Sequence, residues 1–168
     1  PKDMGRMEYK YNEVARKCGI NVPDYKLLDG KYFASKRFDI ENGKRLHIAT
    51  AGALLNESIS NPKLDYKVLL HLTGYLTQDS QQVDEMFQRM VFNVLTDNKD
   101  DHVKNFSFIC REGKWSLAPA YDLTLCKEGY HGEHATSANN KGNPDIEDML
   151  AVGESIRIPR RKGMEIIN

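Results

Sequence analysis

The sequence lacks the features that mark several classes of protein. Its three cysteines, Cys18, Cys110 and Cys126, are widely spaced and form no Cys-x-x-Cys pair, so they indicate neither a zinc site nor a disulfide framework. No run of about 18 apolar residues occurs, and no signal-peptide pattern opens the chain. We therefore expect neither a membrane-spanning nor a visibly secreted protein, and the cysteine usage is typical of the reducing cytoplasm.

Charge of one sign is also lacking. The chain has 24 basic and 24 acidic residues, and its formal net charge is zero. A strongly basic surface is not indicated, so we expect no direct binding to nucleic acid. The 168 residues are 40% hydrophobic and 29% charged, which is typical of one globular domain or of one lobe of a larger one.

Hydrophobic spacing and turn residues predict an α+β fold that is mostly helical. The predicted elements, in chain order, are a helix over 7–18 that Gly19 caps, a hairpin over 25–38 around Asp29-Gly30, a turn at 41–44 before a short strand at 45–48, helices over 49–57, 63–77 and 81–96, a hairpin over 106–117, and a helix that Asn143-Pro144 opens and Gly153 closes. The stripe of apolar residues in 81–96 predicts a buried core helix.

Polar residues on either side of the second hairpin form the most informative pattern. Asp100, Asn105 and Asp122 are oxygen ligands of the kind that a hard cation prefers. An Asp followed five residues later by an Asn, and then by an Asp beyond a hairpin, is the order of a protein-kinase catalytic loop and its metal-binding Asp. The spacing thus indicates a magnesium–nucleotide site.

Two stretches carry a family resemblance. Asp100-Asp-His-Val-Lys-Asn-Phe-Ser-Phe and Pro119-Ala-Tyr-Asp-Leu closely resemble the signature of HipA-type serine/threonine kinases, the toxins of bacterial toxin–antitoxin pairs. Gly19-Ile-Asn-Val-Pro and Lys36-Arg-Phe-Asp resemble the post-helix turn and the nucleotide hinge of that family. The resemblance implies a protein-kinase-like fold, with an N-lobe remnant and hinge in 1–38 and a C-terminally truncated catalytic lobe in 39–168.

The resemblance also implies roles for single residues, with ATP and Mg²⁺ as cofactors. Asp100 would be the catalytic base, Lys104 would lie near the transferred phosphate, and Asn105 and Asp122 would bind the metal. Glu8 would pair with a lysine that holds the nucleotide phosphates.

The hinge residues Arg37 and Phe38 would contact the nucleotide, although a plain edge strand fits 36–38 equally well. Glu8 is also readable as an ordinary exposed helix carboxylate. The sequence has no Gly-rich phosphate loop and no strand lysine, so we expect a fragment of a longer protein that is inactive by itself.

The implied activity is transfer of the ATP γ-phosphate to a serine or threonine of a protein, in the cytoplasm. The family resemblance further implies targets that include aminoacyl-tRNA synthetases, a DNA-binding antitoxin as partner, and autophosphorylation of an upstream serine.

Three alternatives remain open from the residues alone. Asp101 competes with Asp100 as the base, or it caps the loop or binds backbone. Asp100, Asp101 and His102 could instead form the site of a metal-dependent phosphoesterase, with a hydrogen-bonded structural role as the other reading of His102. The chain could also be a non-catalytic module that binds a partner protein. His131 and His134 are expected to be loop residues.

Overall fold

The computed structural model describes residues 3–59 and 64–168, and these form six helices and seven short strands. The helices are α1 (Met4–Lys17), α2 (Ala51–Leu55), α3 (Tyr66–Thr77), α4 (Ser80–Leu95), α5 (Ile146–Ser155) and α6 (Arg160–Ile167). The strands are β1 (Tyr25–Leu28), β2 (Tyr32–Ser35), β3 (Ile40–Glu41), β4 (Lys44–Arg45), β5 (His47–Thr50), β6 (Ser107–Arg111) and β7 (Lys114–Leu117). None of the described helices is long and apolar enough to cross a membrane.

Both predicted hairpins are confirmed. β1 pairs with β2 through a three-residue loop, Asp29 to Lys31, in which Asp29 and Gly30 have positive φ angles of 50° and 63°. β6 pairs with β7 through a two-residue turn of Glu112 and Gly113, whose φ angles of 50° and 78° are those that such a turn requires. Each hairpin is thus fixed by a turn whose residues tolerate positive φ.

A three-stranded sheet joins the second hairpin to the middle of the chain. β5 pairs antiparallel with β6, and α2 follows β5 directly. The first two backbone N–H groups of α2 donate to the loop that precedes β6. Ala51 donates to the Phe106 carbonyl (2.8 Å), and Gly52 donates to the Val103 carbonyl (3.1 Å). The sheet and α2 therefore hold the loop between α4 and β6 from one side.

The main hydrophobic core lies between α3, α4, α5 and the second hairpin. Tyr66 and Leu69 of α3 and Phe87 and Met90 of α4 are fully buried in it, together with Phe108 of β6. The predicted core helix over 81–96 is thus confirmed as α4. Burial of these large side chains anchors both ends of the loop that carries the polar motif.

A second, smaller cluster attaches α1 to this core. Ala15 and Ile20 pack with Phe92 of α4 and with Ala120 and Leu123, which follow β7. The Tyr11 hydroxyl of α1 also donates to the Thr96 carbonyl at the end of α4 (2.6 Å). The helix that carries Glu8 is therefore fixed beside the segment that carries Asp122.

The predicted start and end of the helix after Asn143 are wrong. Asp145 is the N-cap of α5, since its side chain accepts from the Asp148 N–H (2.9 Å) while the Asp148 carboxylate accepts from the Asp145 N–H (3.0 Å). This reciprocal capping box satisfies two helix-end donors, which an Asn143 cap with Pro144 behind it does not. Gly153 does not end the helix but lies buried within it, against Phe87.

Other boundaries differ by a few residues. β5 extends through Thr50, whose hydroxyl caps α2, so α2 is shorter than the predicted 49–57. Asp65 caps α3, which starts at Tyr66; residue 63, the predicted start, lies outside the described residues. β2 ends at Ser35, so 36–38 is not an edge strand.

Gly153 and Gly74 are both helical glycines, and they give opposite predictions for the same substitution. A Cβ at Gly153 would lie 2.9 Å from the buried Phe87 ring, whereas a Cβ at Gly74 would meet Val83 at an ordinary 3.4 Å. We expect Gly153→Ala to lower the free energy of unfolding by about 1 kcal/mol through overpacking. The control Gly74→Ala should raise it by about 0.5–1 kcal/mol, because alanine favours the helix. Urea unfolding measures both, and equal gains at the two positions would contradict this packing.

Candidate active site

The loop between α4 and β6 brings Asp100 and Asn105 together. The Asn105 side-chain amide donates from Nδ2 to the Asp100 carbonyl oxygen (2.7 Å), and the Asn105 backbone N–H donates to the His102 carbonyl (2.9 Å). These two bonds close the loop into a turn. Because Nδ2 is bonded within the loop, Oδ1 is the atom of this amide that could bind a cation.

Asp122 returns to the same place after the second hairpin. Its segment is held by the buried Arg89, which donates from a guanidinium nitrogen to the Ala118 carbonyl (2.8 Å), and by the Ala120 N–H, which donates to the Asn21 carbonyl (2.7 Å). Asp122 adopts φ 60°, in the left-handed region that non-glycine residues rarely occupy. Asn105 and Asp122 line one small cavity of about 10 Å³.

The charge of Asp122 acts on two other carboxylates. Partial burial raises the pKa of Asp100, His102 opposes this, and the charges of Asp122 and Asp101 raise it further. Partial burial also raises the pKa of Glu8, and the charge of Asp122 adds to that rise. Asp122 therefore lies close enough to repel both Glu8 from α1 and Asp100 from the loop, and a bound cation would offset this repulsion.

Asp100 and Asp101 differ sharply in exposure. Asp100 is exposed, whereas Asp101 is 1% exposed. The Asp101 carboxylate accepts from the Tyr66 hydroxyl (2.7 Å) and the Thr136 N–H (3.2 Å), and it bonds the His134 Nδ1 atom (3.0 Å). Asp101 binds backbone and buried side chains, as one of its readings anticipated, and it is not available to a substrate hydroxyl.

His134 is the site residue that the sequence reading missed. It lies in a loop as expected, but it is buried beside the Asp101 carboxylate. No local signal marks it, because 33 residues separate the two partners. His102 differs from expectation in another way: its Nδ1 atom is buried and has no hydrogen-bond partner among the described residues.

A phosphoesterase centre built from Asp100, Asp101 and His102 does not fit this arrangement. Asp101 is enclosed by its partners, and within 3–59 and 64–168 no group of three or more His, Cys, Asp or Glu side chains is arranged to hold a metal. The predicted pair Asn105 and Asp122 needs no such group. Two protein oxygens suit Mg²⁺, which keeps waters and phosphate oxygens as its other ligands.

Of the two predicted hinge residues, Phe38 lies near this pair. Phe38 stacks on Tyr121, with 5.4 Å between ring centroids, and Tyr121 directly precedes Asp122. Arg37 forms an exposed ion pair with Asp39, and both Arg37 and Phe38 line an open cavity of about 380 Å³. The exposed Lys104 is held beside Tyr121, because its backbone carbonyl accepts from the Tyr121 hydroxyl.

Comparison with known proteins shows the family of this chain. The family model of the HipA-like C-terminal domain matches residues 1–168. The chain belongs to this family. A curated relative, "Putative kinase Y4dM" of Sinorhizobium fredii (strain NBRC 101917 / NGR234), is 28% identical over 150 residues, covering 79% of this chain and 36% of the relative.

Two solved structures share the fold. A chain in the Shewanella oneidensis MR-1 toxin–antitoxin complex of HipA, HipB and operator DNA matches 98% of this HipA-like domain with a TM-score of 0.81 and 21% identity. The Helicobacter pylori proinflammatory kinase CtkA matches 99% of it with a TM-score of 0.61 and 14% identity. The expected kinase-like α+β fold is thus confirmed. The domain spans 46% of the matched chain in the HipA complex and 81% of CtkA.

The charge of Asp122 gives a testable pair of pKa changes. We expect Asp122→Asn to lower the pKa of both Asp100 and Glu8, while burial keeps both above their ordinary values. A carboxyl whose pKa is raised by folding stabilises the fold only at low pH, and that contribution is lost as the pH rises through the folded-state pKa. Carboxyl ¹³C NMR titration measures the shifts.

The matched control for this titration is Asp97→Asn, because Asp97 is acidic and close in sequence but contributes to neither pKa. Unchanged titration of Asp100 and Glu8 in Asp122→Asn would contradict the action of the Asp122 charge on these two carboxylates.

Proposed function

We propose that this domain is the catalytic part of a HipA-like protein kinase that transfers the ATP γ-phosphate to a serine or threonine hydroxyl of a protein. One observation supports the proposal: Asn105, which is bonded to the Asp100 backbone, lines the same small cavity as Asp122, whose charge acts on Asp100. A base beside two oxygen ligands is the set of groups that phosphoryl transfer requires.

Each residue then has a distinct task. Asp100 is exposed beside the ligand pair, so it can orient the attacking hydroxyl and accept its proton. Asn105 and Asp122 would hold magnesium, which bridges the nucleotide phosphates and neutralises their charge. Lys104 follows the same turn and, being exposed, is free to reach the transferred phosphate.

Nucleotide binding is proposed for the side of the site that faces α1. Phe38 stacks on Tyr121 beside Asp122, so a hinge at Arg37 and Phe38 would place an adenine next to the metal pair. Glu8 faces Asp122, where it could hold a phosphate-binding lysine. We assign 1–38 to the N-lobe remnant and hinge and 39–168 to the catalytic lobe, with the phosphate loop and lysine supplied by further sequence.

The biological role is proposed from the relatives. HipA is a toxin that was solved with HipB and operator DNA, and CtkA and Y4dM are named as kinases. By this likeness the protein would act in the bacterial cytoplasm as the toxin of a toxin–antitoxin pair, with a DNA-binding antitoxin as partner. An aminoacyl-tRNA synthetase is the proposed class of substrate, and neither a membrane nor direct nucleic-acid binding is involved.

Phosphotransfer from radiolabelled ATP tests the proposal, using the natural protein that carries these residues. We expect Asp100→Asn to lower kcat by about 10²- to 10⁴-fold, because the general base is lost. Asp122→Asn should abolish magnesium-dependent labelling. The control Asp97→Asn should retain wild-type labelling, because Asp97 lies in a turn at φ 53° that asparagine also favours. Equal labelling by wild type and Asp122→Asn would contradict the metal assignment.

A further inference from the structure

We propose that the buried residues Asp101 and His134 are positioning residues that hold Asp100 and Asn105 in place. The Asp101 carboxylate would connect the loop that carries those residues to the segment 127–144, with His134 as its principal side-chain partner in that segment. The effect on phosphotransfer rests on the proposed function, whereas the structural connection does not.

The contacts of Asp101 come from three parts of the chain. Tyr66 donates from α3, and His134 and Thr136 contact the carboxylate from the segment 127–144. The Thr136 hydroxyl donates to the Asp101 backbone carbonyl as well. All of these groups are buried: Tyr66 and Thr136 are 0% exposed, and His134 is 6% exposed.

The network continues towards α4. The Tyr66 hydroxyl, which donates to Asp101, accepts from the Asn93 side chain (2.9 Å), and Asn93 accepts from the Asn98 side chain (2.9 Å). A buried carboxylate is costly unless its acceptor sites are filled, so this network has one strongly preferred arrangement. The start of the loop is therefore fixed by polar contacts as well as by hydrophobic packing.

Backbone bonds align the segment with the loop. The Lys99 N–H donates to the Cys126 carbonyl (3.0 Å), and the Ala135 N–H donates to the Lys99 carbonyl (3.2 Å). The exposed Lys99 ammonium donates to the carbonyl of Gly132 (2.8 Å) and to the side chain of Asn143 (2.7 Å). The loop thus lies between Cys126 and the segment 127–144, and the buried Asp101–His134 pair joins it to that segment.

The connection to the reacting groups is short. Asp101 directly follows Asp100, whose carbonyl accepts the Asn105 amide. A shift of the Asp101 backbone would move that carbonyl, and with it the Asn105 oxygen and the Asp100 side chain. Because a misplacement of about 1 Å can cost 10²-fold in rate, loss of the His134 contact should reduce turnover without contact to any substrate.

The experiment compares variants in the natural protein that carries this domain. His134→Leu removes the ring partner, and His134→Asn keeps an N–H near the Nδ1 position. The control Val152→Ala also loses core packing, but in α5 outside the network. We expect His134→Leu to lower kcat about 10- to 100-fold with little change in the KM for ATP, and His134→Asn to restore most of it. Val152→Ala should leave kcat unchanged below its melting temperature.

Amide hydrogen exchange supplies a readout that is independent of activity. His134→Leu should speed exchange at Ala135, Thr136 and Asn105, and His134→Asn should restore protection. If His134→Leu does not fold, His134→Gln serves, because its longer amide does not reproduce the Nδ1 position. If His134→Leu speeds exchange but the wild-type protein shows no phosphotransfer, the structural connection is supported and the kinase proposal is rejected. Unchanged exchange, or a kcat loss that Val152→Ala reproduces, would overturn the positioning role.

Discussion

The charge of Asp122, which raises the pKa of both Glu8 and Asp100, is the constraint on which the proposed site depends. Like charges at close range destabilise a fold unless something holds them or a cation joins them. Hydrophobic clusters on both sides of α4 hold these carboxylates in place. The buried Arg89 also fixes the segment before Asp122. In the proposed site, a divalent ion bound by Asn105 and Asp122 would offset this charge.

The two neighbouring aspartates of the loop have identical side chains but different surroundings. Asp100 is exposed and its pKa is raised by partial burial and by neighbouring carboxylates. Asp101 is enclosed by hydrogen-bond partners from three parts of the chain. Two adjacent residues thus have different roles in this account: Asp100 is proposed for chemistry, and Asp101 is bonded within the fold.

Much of this arrangement is readable from local sequence. The Asp29-Gly30 turn, the apolar stripe of α4 and the polar motif around the second hairpin each depend on neighbours within a few residues, and the structure contains each of them. The resemblance to HipA-type kinases then gives the fold, which the family match and the structural likenesses bear out.

What sequence reading missed depends on distant partners or on competing local bonds. His134 meets Asp101 across 33 residues, and no periodicity signals such a pair. The predicted start of α5 at Asn143 is wrong because the reciprocal bonds between Asp145 and Asp148 outweigh the Asn143-Pro144 signal. The pairing of β5 with β6 likewise joins residues about sixty positions apart in the chain, beyond the reach of local patterns.

The most direct test of the account is to locate a bound cation. With Mn²⁺ and ATP added to the natural protein that carries this domain, paramagnetic broadening should be strongest at the Asn105 side-chain amide and at Asp122, and Asp122→Asn should remove it. Broadening that is absent, or that is centred on residues far from Asn105, would contradict the claim that these side chains hold the metal of a kinase.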